Sequence, residues 1–92
     1  MMSGTDTLTD IEDPDRIGTL RVQIDSLDRA IARLVAERAR VSARIQTARM
    51  NAGGTRVELG REREILAGYR QALGPDGSQL GEAVLRVCRG VR

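Results

Sequence analysis

Apolar residues recur at alternating spacings of three and four along the segment 17–48. Ten positions follow this spacing without a break, and nine of them are apolar: Ile17, Leu20, Ile24, Leu27, Ile31, Leu34, Val41, Ile45 and Ala48. This is the a/d heptad repeat of a helix that packs lengthwise against another helix. The pattern therefore predicts one long amphipathic helix, whose apolar stripe we call the seam.

The remaining position of the seam is Arg38, whose guanidinium lies where the pattern requires a buried apolar side chain. A buried charge is costly unless a partner compensates it. Two interpretations fit the pattern equally well. Arg38 sets the register of the helix pairing as a polar residue inside the seam, or it is kept there for an anionic ligand.

The limits of the long helix follow from its flanking residues. Asp13–Pro14 is a good start, because a side-chain cap precedes a proline at the first helical position. Gly18 weakens the first turn, so we expect the regular helix to begin near Thr19. Gly53–Gly54 ends it just after Asn51.

Two shorter helices are predicted after this loop. The second runs from about Glu58 to Leu73, where Gly74–Pro75 stops it. Asp76, with Gln79 three residues later, resembles a capping box that opens a third helix, which ends near Gly90. The residues expected to be buried are Ile65, Leu66, Tyr69 and Leu73 in the second helix, and Leu80, Ala83, Val84, Val87 and Cys88 in the third. The predicted fold class is all-α, one long helix plus two shorter ones.

The long helix predicts a dimer. It is roughly 50 Å long at 1.5 Å per residue, whereas a compact domain of 92 residues has a radius of gyration of only ~12 Å. The seam therefore needs another chain, and an antiparallel or crossed, intertwined helical homodimer is the simplest answer. Residues 1–12 are polar and acidic and read as a disordered N-terminal tail, which leaves 13–92 as one domain.

Composition excludes several functions. The chain has no His and one Cys, which argues against thiol–imidazole catalysis, ordinary zinc sites and an internal disulfide. All 15 basic residues are arginines, but the net charge is only +2, and one Tyr provides no stacking platform, so nucleic-acid binding is not expected. We find no signal peptide or membrane-length apolar run, so we expect a cytoplasmic protein without membrane contact.

Any catalysis would rest on arginines and carboxylates. Arg38 and Arg49 are eleven residues apart, about three turns and ~16 Å of rise, so they point to nearly the same side. Arg61 follows the loop and can fold back toward them. Arg21 lies roughly 25 Å along the helix from Arg38 and reaches such a site only from a second subunit of an antiparallel dimer. Taken singly, Arg21, Arg49 and Arg61 also fit solvated helix arginines.

Several short motifs, in order and at the right spacing, carry a family resemblance. They are Leu20–Arg21, Ile24–Asp25, Leu27–Asp28, Glu37–Arg38, Ala48–Arg49–Met50, Gly53–Gly54–Thr55–Arg56, Arg61–Glu62, Leu73–Gly74–Pro75–Asp76–Gly77 and Arg89–Gly90. Over about residues 15–90 the chain resembles the AroQ-type, all-helical chorismate mutases, most closely their short, intracellular actinobacterial (mycobacterial-like) subclass. Residues 13–92 are accordingly expected to form a chorismate mutase domain.

The resemblance implies an intertwined homodimer that rearranges chorismate to prephenate on the route to Phe and Tyr. This intramolecular Claisen reaction needs no nucleophile, metal, cofactor or proton transfer, which suits a chain without His. It needs a folded substrate and stabilisation of the charge that develops at the breaking ether bond. Arginines fixed around a dicarboxylate supply both, by positioning and by preorganised electrostatics.

The resemblance also implies a role for each site residue. Arg38 is similar to the buried guanidinium that binds a substrate carboxylate, and Arg49 stands where many relatives have a Lys for the ether oxygen and a carboxylate. The remaining implied contacts are Arg61 at a carboxylate, Glu62 at the ring hydroxyl, Arg21 reaching in from the other subunit, and Glu58 and Thr55 as substrate-binding residues. Glu58 stands where enteric relatives have Asp and some actinobacterial ones an apolar residue.

The third helix departs from the enteric pattern. Enteric relatives place a Gln there against the ether oxygen, and this chain has no such amide among Leu85, Arg86, Val87, Cys88 and Arg89. The actinobacterial subclass shares this lack, and its members are weak alone and activated by DAHP synthase. The resemblance therefore implies DAHP synthase as a partner that acts through the C-terminal residues, including Arg89 and Gly90.

Two alternatives remain at this point. Isochorismate-pyruvate lyase uses the same helical scaffold and is also pericyclic and arginine-lined. A non-catalytic helical dimerisation or regulatory module would tolerate an apolar residue at position 38, where Arg38→Leu should stabilise the seam.

Overall fold

The computed structural model describes residues 14–54 and 58–90, which form three helices. Helix α1 spans Pro14–Asn51, α2 spans Leu59–Leu73 and α3 spans Gly77–Arg89. The all-α prediction, one long and two shorter helices, is confirmed. The predicted disordered tail and Thr55 lie outside the described residues.

The start of α1 confirms one prediction and corrects another. The helix begins at Pro14, as the Asp13–Pro14 sequence predicted, and Gly18 does not delay it to Thr19. A single glycine costs a helix only about 1 kcal/mol relative to alanine, and a proline at the first helical position needs no backbone hydrogen bond. The helix therefore continues through Gly18. None of the helices in the described part of the chain is long and apolar enough to cross a membrane.

The chain divides into two compact units, Met1–Arg33 and Leu34–Arg92, and α1 is continuous through the division. In the first unit, the seam residues Ile17, Ile24, Leu27 and Ile31 are exposed. In the second unit, Leu34 is 60% exposed, and Val41 and Ile45 are also exposed. The described residues of a single chain therefore leave most of the seam uncovered.

The end of α1 is a Schellman motif. The N–H of Gly54 donates to the carbonyl of Arg49 at 2.7 Å, and the N–H of Gly53 donates to the carbonyl of Met50 at 3.0 Å. Gly53 has a φ of 84°, the left-handed conformation that this motif requires and that glycine adopts without penalty. The predicted stop at Gly53–Gly54 is thus confirmed, and the backbone of Arg49 is fixed by it.

The core of the second unit lies where α3 meets α1 and α2. Ala39 of α1 packs with Val84 and Cys88 of α3, and Val35 and Tyr69 cover them. The face of α3 that is buried comprises Gly77, Gly81, Val84, Leu85 and Cys88. Burial of Val84 and Cys88 was predicted from the sequence, but the predicted burial of Leu73, Leu80 and Val87 is wrong for the single chain, because all three are exposed.

Glycines explain why α3 presents this face. A Cβ atom on Gly77 would lie only 2.7 Å from the carbonyl carbon of Tyr69, and one on Gly81 would lie 3.0 Å from Leu66 Cδ2. At Gly77 the α3 backbone approaches the main chain of α2 too closely for any other residue, and at Gly81 it packs tightly against side chains of α2. A prediction from large apolar residues alone assigns the buried face of α3 to Leu80 and Val87 and misses the glycines.

The third helix begins as predicted, but the predicted capping box is wrong. Asp76 is the N-cap residue, yet its backbone is in the right-handed helical region and its side chain makes no capping hydrogen bond with the described start of α3. The Ser78 hydroxyl instead donates to the Pro75 carbonyl at 3.4 Å. The close approach at Gly77, rather than a side-chain cap, defines this helix start.

We expect Gly77→Ala to lower the free energy of unfolding by about 3 kcal/mol, because the added methyl overlaps main-chain atoms that cannot move aside. Urea denaturation at a fixed protomer concentration measures the change. Gly68→Ala is the matched control, since a Cβ there meets no described atom within 4 Å. It should raise stability by up to ~1 kcal/mol. Equal stability of the two variants would contradict the close approach at Gly77.

Candidate active site

A cleft of about 280 Å³ lies within the second unit. This volume is near the lower end of the ~300–1,000 Å³ range of small-molecule sites. All three helices contribute to its walls, together with the residue just before α2. The lining residues are Arg38, Val41, Ser42, Ile45, Gln46, Arg49, Glu58, Arg61, Glu62, Ile65, Leu85, Cys88 and Arg89. The apolar members form part of each wall, and the polar members bring several charges into a small space.

Four arginines and two glutamates line the cleft, which leaves it with a net charge of +2. Five of the six were predicted as catalytic or substrate-binding residues: Arg38, Arg49, Glu58, Arg61 and Glu62. The sixth is Arg89, which was predicted to act in partner contact. The structure therefore brings together residues spread over 52 positions of the sequence. Such a cleft fits a small dianion.

Arg38 is held between α1 and α3. It precedes Ala39, which is buried in the core, and its Nη1 donates to the Sγ of Cys88 at 3.1 Å. Thiol sulfur is a weak acceptor and carries no charge in its protonated form. No carboxylate of the described residues forms an ion pair with Arg38, so its half-buried charge still needs an anion. The guanidinium is therefore available to an anionic ligand, as the second of the two interpretations requires.

Arg49 and Glu58 form an ion pair across the connection between α1 and α2. Both terminal nitrogens of Arg49 contact the same oxygen, Glu58 Oε2. The Arg49 side chain is 24% exposed and that of Glu58 54% exposed. The last turn of α1 and the first residue before α2 thus place this guanidinium at one end of the cleft.

A second ion pair joins α2 to the end of α3. Arg89 Nη1 contacts Glu62 Oε2. Arg61, one residue earlier in α2, is 66% exposed and has only a loose pair with Glu64, at 3.9 Å. Glu62 is therefore paired with α3 at the cleft, whereas the Arg61 side chain is mostly exposed.

Two predicted site residues of the described part of the chain do not line the cleft, and a third lies outside that part. Arg21 belongs to the first unit, where it is exposed. Gly90 is the C-cap of α3, and its N–H donates to the Arg86 carbonyl at 2.8 Å. Thr55 lies outside the described residues.

Sequence reasoning missed several residues of the cleft. Ser42 and Gln46 of α1 line it between Arg38 and Arg49, and Ile65, Leu85 and Cys88 supply apolar wall. A signal for the first two was present, because Ser42 and Gln46 follow Arg38 at i+4 and i+8 and so share its face of the helix. No cluster of three or more potential metal-ligating side chains occurs within 14–54 and 58–90.

Comparison with known proteins places the chain among helical mutases. A family model described as chorismate mutase type II matches residues 20–90. The intracellular chorismate mutase of Mycobacterium tuberculosis is 49% identical over 74 residues, which are 80% of this chain and 70% of that protein. The corresponding protein of Mycolicibacterium smegmatis is 43% identical, over 80% of this chain and 71% of its own length.

A solved structure agrees with these relatives. It is a chain of the non-covalent complex of DAHP synthase and chorismate mutase from Corynebacterium glutamicum, with a bound transition state analog. The two chains superimpose with a TM-score of 0.77 at 36% identity, over 92% of this chain and 98% of the other.

Stability tests whether folding depends on Arg38. We expect Arg38→Leu to keep or raise the free energy of unfolding, because leucine suits the seam and no buried carboxylate loses its partner. Chemical denaturation at equal protomer concentration measures this. Leu85→Ala, which truncates a buried neighbour in the cleft wall, should cost about 3 kcal/mol. A comparable loss in Arg38→Leu would indicate that the arginine is required for folding.

Proposed function

This chain belongs to the chorismate mutase type II family and is an isomerase, and from that premise we propose how its cleft converts chorismate into prephenate. In this intramolecular Claisen rearrangement a carbon–oxygen ether bond breaks and a carbon–carbon bond forms in one step. No proton and no outside group are transferred. The protein must fold the substrate into a chair-like shape and stabilise the charge that grows at the ether oxygen.

The cleft's charge carries this proposal. Chorismate is a dicarboxylate, and four arginines against two glutamates leave the cleft at +2, so binding neutralises both partners. Arg38 binds one substrate carboxylate, since its guanidinium faces the cleft with only a thiol as partner. Arg49 stabilises the ether oxygen and a carboxylate. Losing either guanidinium should cost ~3 kcal/mol of transition-state stabilisation, about a hundredfold in rate.

The α2 residues complete the binding site. Arg61 lies near a substrate carboxylate, and its exposed side chain can turn toward an incoming anion. Glu62, which is only 25% exposed, accepts a hydrogen bond from the ring hydroxyl once Arg89 shares it or withdraws. Ser42 and Gln46 add neutral polar groups along the α1 wall.

We propose that the working unit is a homodimer. The exposed seam supports it, because a row of apolar side chains that are roughly half exposed, such as Ile31 and Leu34, is unfavourable in water. Pairing two copies of α1 about a two-fold axis buries both seams. In an antiparallel arrangement Arg21 of each subunit supplies the missing guanidinium of the other subunit's cleft.

Mixed dimers test this shared site. Arg21→Ala and Arg38→Ala, prepared separately, should each form prephenate about a hundredfold or more slowly than the unsubstituted protein. Mixing them under subunit exchange produces heterodimers with one intact cleft, and we expect prephenate formation from chorismate to recover. Heterodimers that form without recovery would rule out a shared site.

We also propose that DAHP synthase binds and activates this chain. The Corynebacterium glutamicum relative is found in such a complex, and the third helix of this chain lacks the amide donor of enteric enzymes. In the single chain, Arg89 near the end of α3 occupies Glu62. A partner that binds the C-terminal residues therefore acts on a side chain that contacts the cleft. The name shared by the mycobacterial relatives supports an intracellular location.

Association can be measured directly. We expect the organism's DAHP synthase to be retained by the tagged chain and to raise kcat/KM for chorismate by at least tenfold, an increase equivalent to about 1.4 kcal/mol. If the synthase neither binds nor activates the chain, this part of the proposal is wrong. Isochorismate serves as the parallel substrate: release of salicylate and pyruvate in place of prephenate from chorismate would identify a lyase instead.

A further inference from the structure

We propose that Glu58 is a positioning residue that acts through Arg49 and does not itself touch the substrate. The inference rests on the proposed function of the cleft, because it assigns Arg49 to the reacting ether. It concerns how that guanidinium is held before chorismate arrives. Glu58 and Arg49 lie at the two ends of the loop that joins α1 to α2, and the chain between them is Gly-rich.

The first support is the contact itself. Nη1 and Nη2 of Arg49 both approach Glu58 Oε2. When two nitrogens of a guanidinium are held, both its position and its orientation are restrained. Arg49 therefore presents a defined edge and its charge to the cleft that it lines together with Glu58.

The second support is the backbone under Arg49. Its carbonyl accepts the 2.7 Å hydrogen bond from Gly54 that closes the Schellman motif, so the Cα of Arg49 is fixed at the end of α1. The side chain beyond it has several rotatable bonds and lies outside the buried core cluster, although it is only 24% exposed. Glu58 adds a charged restraint at the far end of that side chain.

The third support is what Glu58 does not do. It is the N-cap residue of α2, in an extended conformation, yet its side chain makes no capping hydrogen bond to the described start of that helix. Glutamate is also a poor N-cap residue compared with Ser, Thr, Asp or Asn. Its carboxylate is directed to Arg49 instead, so a capping hydrogen bond does not explain this residue.

Positioning in advance matters for this type of reaction. With no nucleophile or proton to transfer, the rate depends on where fixed charges lie relative to the ether oxygen, and small displacements of such a charge are costly. If the substrate must order the arginine, the entropy cost of ordering lowers the rate. An arginine that is already ordered avoids this cost. Glu58 also lowers the net positive charge of the cleft, which by itself weakens dianion binding.

These opposing effects give a specific kinetic signature. We expect Glu58→Gln to lower kcat about tenfold, through loss of the restraint on Arg49, while KM for chorismate stays the same or falls, because the cleft charge rises from +2 to about +3. Glu58→Asp keeps the carboxylate, and its kcat should lie between that of the unsubstituted protein and that of Glu58→Gln. In an Arg49→Ala background, Glu58→Gln should change kcat by less than twofold, since its target is gone.

Glu82→Gln is the matched control, because it removes one exposed carboxylate from α3 without touching the cleft. It should leave kcat and KM unchanged.

A raised KM with unchanged kcat in Glu58→Gln would overturn the proposal, since it indicates direct binding of substrate by Glu58. So would a Glu58→Asp variant no better than Glu58→Gln, or an undiminished effect in the Arg49→Ala background. If the unsubstituted dimer, assayed alone and with DAHP synthase, forms no prephenate, the proposed function itself fails and this inference with it. Turnover by the unsubstituted dimer with no effect of Glu58→Gln overturns this inference alone.

Discussion

One charge in an apolar repeat shapes the rest of this protein. Arg38 stands where the seam of α1 needs an aliphatic side chain, and its guanidinium is half-buried against the thiol of Cys88. A thiol offers one weak acceptor, so burial of the charge is not compensated by the described part of the chain. An anion that enters the cleft compensates it. The folding cost of this residue and its binding function are therefore two aspects of the same interaction.

The fold supplies what this interaction needs. Gly77 and Gly81 allow α3 to approach α2 closely, and that approach sets Leu85 and Cys88 against the cleft and Arg89 beside Glu62. A bulkier face on α3 would hold the two helices further apart and would displace these side chains together. Packing at two glycines outside the cleft thus influences the electrostatics of the site.

The spacing of Arg38, Arg49 and Arg61, joined to a family resemblance, was enough to predict which side chains would share a cleft, because helix geometry converts sequence spacing into direction. The helices were predicted within a few residues, apart from the expected delay of α1 to Thr19. Ser42 and Gln46 were missed because their position beside Arg38 was not followed along the helix. The glycine face of α3 was missed because a residue without a side chain leaves no apolar signal. The pairing of Glu58 with Arg49, and of Glu62 with Arg89, depends on loop and helix-end geometry that no repeat in the sequence encodes.

Two glutamates in a cleft for a dianion oppose binding if they are considered alone. The degree of burial of each arginine explains why they are present. Arg38 is restrained by the core at Ala39 and needs no carboxylate, which would only neutralise the charge it offers. Arg49 and Arg89 lie at helix ends, outside the core cluster, and each is paired with a glutamate. Arg61, the most exposed of the four, has a loose surface pair with Glu64, which is worth little. Carboxylates therefore occur in this cleft where an arginine needs a second point of attachment, and the +2 that remains is the charge left for the substrate.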